Sequence, residues 1–158
     1  MLKRFGATRL GIWTIKHLVA PLDRRLYTST DGRFVTTGKA VAPILLLTTT
    51  GRKSGSLYTN PVFYLTDANR LIICNANPGF ERVNPWVLNL RANPHATVQL
   101  GARKHSCIAR IAAIGEVEQY WPRFTHLWPA YQEYYERSGE RTLFILEHLQ
   151  LLEENERS

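Results

Sequence analysis

The chain has 158 residues, 44% hydrophobic and 21% charged, which is enough for one packed domain and too few for two. Aromatic residues spread along the whole length exclude a disordered chain, and the lack of any long uninterrupted apolar run excludes a membrane-spanning helix. The net charge is +7; residues 1–53 hold ten Lys/Arg against Asp23 and Asp31, net +8, while residues 54–158 hold ten against eleven acids, net −1. A basic first third suits nucleic acid, an anionic membrane surface or a polyanionic ligand, or is a solvated face with no partner.

In chain order, Met1–Ala20 mixes cations with apolar residues and has neither the clean apolar block nor the cleavage site of a secretory signal. Thr8–Val19 reads as a helix with an apolar face of Leu10, Ile12, Trp13, Ile15 and Leu18, ended by Pro21. Leu22–Lys39 is polar. Ile44–Thr50 is a buried strand, Gly51–Gly55 a tight basic loop, and Tyr58–Leu65 a strand with Pro61 at an edge or bulge position. Asp67-Ala68-Asn69 turns the chain into a strand over Arg70–Asn75. Asn84 caps a helix that opens on Pro85 and runs to about Ala92. Strands follow over Ala96–Leu100 and Lys104–Ile114, joined by Gly101-Ala102. Glu116–Arg137 reads as helical, bent or divided by Pro122 and Pro129. A last strand covers Thr142–Glu147, before a charged tail over Gln150–Ser158.

Strands joined by such short turns are antiparallel. The expected fold is α+β: a small closed or half-open barrel at residues 41–149 with helices outside. A basic helical extension at 1–40 precedes it and a tail at 150–158 follows. Cys74 and Cys107 read as free thiols of a cytoplasmic protein, and the five scattered histidines give no metal-ligand spacing.

Three stretches carry chemistry. In Thr48-Thr49-Thr50-Gly51-Arg52-Lys53-Ser54-Gly55, two glycines bracket two cations and a hydroxyl, which makes either an anion site or a solvated turn. It lacks the spacer and following helix of a nucleoside-triphosphate loop. Cys74-Asn75-Ala76-Asn77-Pro78-Gly79-Phe80 runs on to the helix at Asn84-Pro85-Trp86, offering amide donors and a helix N-terminus to anionic or carbonyl groups. Trp86 either stacks on a flat cofactor or packs in the core, and position alone favours packing. Trp128, Tyr131 and Tyr135 share a helical face as core or pocket wall. No carboxylate pair, nucleophile turn or Cys/His pair stands out, so a cofactor is expected to carry the reaction.

Leu45–Gly55 with Asn60-Pro61, then Asn84-Pro85-Trp86 through Asn89-Leu90-Arg91-Ala92-Asn93-Pro94 and Val98-Gln99-Leu100-Gly101, resembles the deazaflavin-dependent nitroreductase family, small oxidoreductases that use reduced coenzyme F-420. The resemblance covers about residues 40–147 and implies a split β-barrel of the flavin-binding type. It implies that Arg52, Lys53 and Ser54 bind the phosphate of the cofactor tail and that Asn75, Ala76, Asn77 and Trp86 surround the deazaflavin ring. Thr50, Gly51, Gly55, Asn60 and Asn89 complete the expected cofactor set, and Tyr131 and Tyr135 are the expected catalytic residues. The implied acceptor is a quinone or an activated nitro compound, with peripheral membrane contact through residues 1–26. Two departures stand out. Tyr58 replaces a further Arg that many members carry, and the Asn-Ala-Asn-Pro-Gly-Phe stretch replaces a Ser/Lys-Gly-Gly type of loop. Competing readings are an FMN or haem protein on the same barrel and a non-catalytic carrier of cofactor or lipid. Nucleic-acid binding is the weakest, because the basic residues adjoin an apolar helix rather than an aromatic platform.

Overall fold

The computed structural model describes residues 43–75 and 83–152. The helix expected over Thr8–Val19, the rest of the basic extension, Ala76, Asn77 and the last six residues of the tail lie outside the described residues.

Six strands, β1 (Ile44–Thr50), β2 (Leu57–Asp67), β3 (Arg70–Cys74), β4 (His95–Leu100), β5 (Arg103–Ile111) and β6 (Leu143–Leu151), close into an antiparallel barrel in the order β1-β2-β3-β6-β5-β4. Tight turns set the pairing. Asp67 faces Arg70 across Ala68-Asn69, and Leu100 faces Arg103 across Gly101-Ala102, so each loop has two residues. Pro61 lies opposite Leu46, whereas β2 pairs with β3 only from Tyr64 to Asp67. The missing N–H of Pro61 thus falls where β2 has outrun its other neighbour, as an edge-type position requires.

Alternation along the strands divides the apolar residues between two cores. Leu45, Leu47, Val62, Leu71, Ile73, Val98, Cys107, Phe144 and Leu146 form one, into which helix α1 (Pro85–Ala92) sends Trp86, Val87 and Leu90. The residues between them on β3 and β6, Ile72, Cys74, Leu143 and Ile145, pack outward against Tyr120, Trp121 and Phe124 of α2 (Ile114–Leu127) and Tyr131 and Tyr134 of α3 (Ala130–Ser138).

The single helix expected over Glu116–Arg137 is two. Pro122 stays within α2, but the chain turns extended at Trp128 and restarts after Pro129. Pro122 is thus accommodated inside a helix at the cost of one backbone hydrogen bond, whereas Pro129 takes the N-cap position of α3, where its missing N–H costs nothing. Trp128 therefore lies in the break, not on a continuous face with Tyr131 and Tyr135. β5 ends at Ile111, short of the expected Ile114, which opens α2 and is 79% exposed. β6 runs past Glu147 to Leu151, taking in Gln150 and Leu151 from the expected tail, and carries an irregularity where His148 adopts a positive φ of 53°.

Five charged residues and a phenol bind α2 to the barrel wall. Arg110 grips Glu116 with two bonds of 2.7 and 2.8 Å and Glu147 with a third of 2.9 Å. Glu116 also accepts the Ala113 N–H at 2.9 Å, closing the N-terminus of α2. The guanidinium beside it holds the Glu116 carboxyl down at about 2. The Tyr120 hydroxyl donates to Asp67, which also accepts from Arg70 at 3.1 Å.

Candidate functional site

The loop between β1 and β2 is built by its own backbone. The Gly51 N–H donates to the Ser56 carbonyl at 2.7 Å and the Gly55 N–H to the Gly51 carbonyl at 2.8 Å. Gly55 has a φ of +70°, a conformation in which a Cβ is strained. Gly51 is demanded by space: a Cβ there would stand 2.5 Å from Cε2 of Tyr58 and 2.8 Å from Oγ of Ser54. The glycines therefore let an aromatic ring close against the loop from below.

Asn89 of α1 fixes this loop from the side. It is buried; its Oδ1 accepts the Arg52 N–H at 3.2 Å, and its Nδ2 donates to Oγ1 of Thr49 at 3.2 Å. Of the expected cofactor ligands, Asn89 therefore has its carboxamide engaged with protein at both ends. Arg52 and Lys53 project from the loop, exposed, and neither pairs with a carboxylate among the described residues. Arg70, Arg91, Arg110 and Arg137 do, while Arg103, Lys104, Arg123 and Arg141 likewise form no such pair among the described residues. Two cations without a carboxylate partner among the described residues thus sit side by side on a turn braced by Asn89. Thr50 ends β1 opposite Leu57, and Asn60 lies two residues beyond Tyr58, opposite Leu47.

The second expected stretch begins at the end of β3. Asn75 is 2% exposed; its N–H donates to the Thr142 carbonyl at 2.9 Å, and its Oδ1 accepts from Nδ2 of Asn84 at 2.7 Å. Its own Nδ2 is buried with no hydrogen-bond partner among the described residues. Such a group costs free energy unless a ligand oxygen satisfies it. Asn84 occupies the N-cap position of α1, but no side-chain cap bond forms there; the amide reaches to Asn75 instead. Trp86 is 6% exposed and packs on Phe144 with ring centres 5.8 Å apart, so its ring belongs to the barrel core.

The tyrosines separate. Tyr131 is 3% exposed, ringed by Phe63, Trp121, Phe124 and Tyr134, and burial pushes its phenol well above the ordinary value. Tyr135 is half-buried at the margin of that cluster, edge-on to Trp121, with the guanidinium of Arg141 5.0 Å above its ring. Arg141, adjacent in sequence to Thr142, stands next to the residue that pins Asn75. Sequence reading missed it, as it missed Thr49 and the loop-bracing part played by Tyr58. A lone Arg in a turn has no pattern, and the ring contacts that hold it exist only in three dimensions. Cys74 and Cys107 are buried; desolvation pushes the Cys107 thiol up to about 12 and Cys74 still higher, so both are unreactive. No group of metal-ligating side chains occurs among the described residues.

A small closed antiparallel barrel with a basic turn at one end and helices packed outside defines the split-barrel class of fold. The family model for the F420H(2)-dependent quinone reductase matches residues 22–148, and the chain belongs to that family. It is 28% identical over 124 residues to an F420H(2)-dependent quinone reductase of Mycobacterium tuberculosis, spanning 77% of this chain and 80% of that protein. Among solved structures, an F420-H2 dependent reductase superposes with a TM-score of 0.60 at 30% identity, over 66% of this chain and 94% of that one. A chain solved as a domain-swapped dimer gives a TM-score of 0.63 at 28% identity, over 86% and 98%. The cofactor is accordingly coenzyme F-420. The residues present fit it: free cations and hydroxyls suit an anionic tail, and the Asn75 amide lacks an acceptor that a ring carbonyl offers.

Proposed function

We propose that the chain reduces quinones at the barrel end formed by the Gly51–Gly55 loop, the start of α1 and the Asn75–Thr142 junction. Activated nitro compounds are a second acceptor class, reached through the same chemistry at an electron-poor centre. The observation that carries the reading is the Arg52-Lys53 pair, left without carboxylates on a turn that Asn89 holds in place.

Bound in this site, the reduced cofactor supplies a hydride. The chain's part is to bind, orient and stabilise charge. Arg52 and Lys53, with Ser54 beside them, take the tail phosphate; Thr50, Gly51 and Gly55 shape the backbone that approaches it. Asn75 offers its free Nδ2 donor to a ring carbonyl; Asn60, and on the family resemblance alone Ala76 and Asn77, are further candidate cofactor ligands. Trp86 supports this end of the barrel from within the core.

An acceptor gains negative charge on oxygen as it is reduced, and a neutral phenol is a suitable donor to it. The partial exposure of Tyr135 supports its assignment to that task, and the burial of Tyr131 supports a backing role. Arg141 adds positive charge over the Tyr135 ring. Residues 1–26 supply peripheral contact with an anionic membrane, where lipophilic quinones are met. This last element rests on the sequence pattern alone. Titration of the purified chain with F-420, followed by the coenzyme's fluorescence, tests the reading. Saturable binding with no comparable binding of FMN supports it, and FMN preference or no binding of either refutes it.

A further inference from the structure

Tyr58 is 49% exposed, beside the loop that carries Arg52 and Lys53. Its ring lies against Gly51, where even one Cβ would collide with it. Its hydroxyl stands 3.2 Å from Oγ of Ser54, and that Oγ accepts the Ser56 N–H at 3.2 Å. The Ser56 N–H donates to Ser54, and between Ser54 and Tyr58 either hydroxyl can be the donor. In the arrangement where Ser54 donates, each oxygen accepts once and donates once. One proton is then left over, on the Tyr58 oxygen at the exposed side of the loop that also carries Arg52 and Lys53. Hydrogen bonds aligned in series polarise one another, so the terminal hydroxyl is a better donor than an isolated phenol.

We propose that Tyr58 is a ligand residue of the anion site, donating its hydroxyl hydrogen to an anionic oxygen of the cofactor tail, with Ser54 as the residue that aims it. The inference rests on the cofactor reading given above. It adds a neutral donor beside the two cations, Arg52 and Lys53. A neutral donor adds affinity with little dependence on ionic strength, whereas the Arg52 and Lys53 contributions are screened by salt.

The test is fluorescence titration with F-420, and with the deazaflavin chromophore lacking its anionic tail, at low and high salt. The parent chain, Tyr58→Phe and Arg52→Ala/Lys53→Ala are compared, each with its melting temperature. Tyr58→Phe keeps the ring on Gly51 and removes only the hydroxyl. The expected result is F-420 binding weakened about three- to tenfold at both salt concentrations, with melting temperature and affinity for the tail-less compound unchanged. The double variant instead loses most of its salt dependence. Parent-like F-420 affinity in Tyr58→Phe overturns the proposal, as does a loss that tracks a lowered melting temperature or extends to the tail-less compound. Failure of the parent chain to bind F-420 removes the cofactor reading and the Tyr58 contact together, a result distinct from the other two.

Discussion

Asn89 and Arg52 illustrate how single residues divide the labour at this site. The Asn89 carboxamide is buried and joined at both ends, to Arg52 and Thr49, so its contribution is the shape of the loop; the Arg52 side chain is exposed and supplies charge. Asn89→Ala leaves a buried Thr49 hydroxyl and a loop N–H unpartnered and is expected to cost about 1–3 kcal/mol, measured by denaturant unfolding, with weaker F-420 binding following from the loosened loop. Arg52→Ala with Lys53→Ala is expected to weaken F-420 binding at least about tenfold, two charge-assisted contacts being worth roughly 1.5–3 kcal/mol each. Stability should stay as it was, since neither side chain is buried. Unchanged affinity in the folded double variant would remove the anion site. At the tyrosines, Tyr135→Phe is expected to lower turnover with F-420 affinity intact, and Tyr131→Phe to leave turnover close to the parent value. The reverse pattern would exchange their roles. These functions were only partly legible in sequence. The Gly-Arg-Lys-Ser-Gly run announces itself, but nothing in the spacing of Asn89 says that it closes on the loop from a helix 37 residues away, and the burial of Trp86 or Tyr131 depends on packing that no single segment contains.

Two elements store most of what local sequence rules can explain. The β2–β3 hairpin turns on Ala68-Asn69, with Ala68 at a φ of 49°. That conformation costs a non-glycine residue roughly 1–2 kcal/mol, against about 0.5–1 kcal/mol of extra chain entropy for glycine. Ala68→Gly is therefore expected to stabilise by up to about 1 kcal/mol, read as a raised denaturation midpoint with unchanged slope. The α2 anchor depends on pH. Glu116 titrates near 2 in the folded chain, against an ordinary value of 4.5, chiefly because Arg110 donates to it. A lowered folded-state value contributes stability above pH 4.5, and that stability is lost as pH falls towards 2. Melting temperature should fall across this window, and Glu116→Gln should flatten the fall; an equal slope in the variant would place the acid sensitivity elsewhere. Strand order and the hairpins were readable because Gly, Pro and Asn mark the turns. The division at Trp128-Pro129 was readable only as a bend or a break, since a proline permits either and tertiary packing of Trp128 against Phe63 selects between them.

On the scale of the whole molecule, the barrel gathers at one end residues from β1, the β1–β2 loop, α1, the end of β3 and the turn before β6. The class of fold followed from alternation and short turns, while the closure of β1 on β4, a pairing between distant segments, is invisible to any local pattern. No helix among the described residues is long and apolar enough to cross a membrane. The proposed membrane contact through residues 1–26 is expected to appear as cosedimentation with vesicles containing anionic lipid, weakened by salt and lost on deletion of residues 1–20; intact protein that ignores such vesicles would refute it. The central claim, reduction of a quinone at the expense of reduced F-420, is tested most directly by mixing purified protein, reduced F-420 and menadione under anaerobic conditions and following reappearance of the oxidised coenzyme. The expected result is protein-dependent oxidation, one coenzyme per quinone, abolished or strongly slowed in Arg52→Ala/Lys53→Ala. Tight coenzyme binding with no oxidation across a panel of quinones and nitroarenes would contradict it and make the chain a carrier.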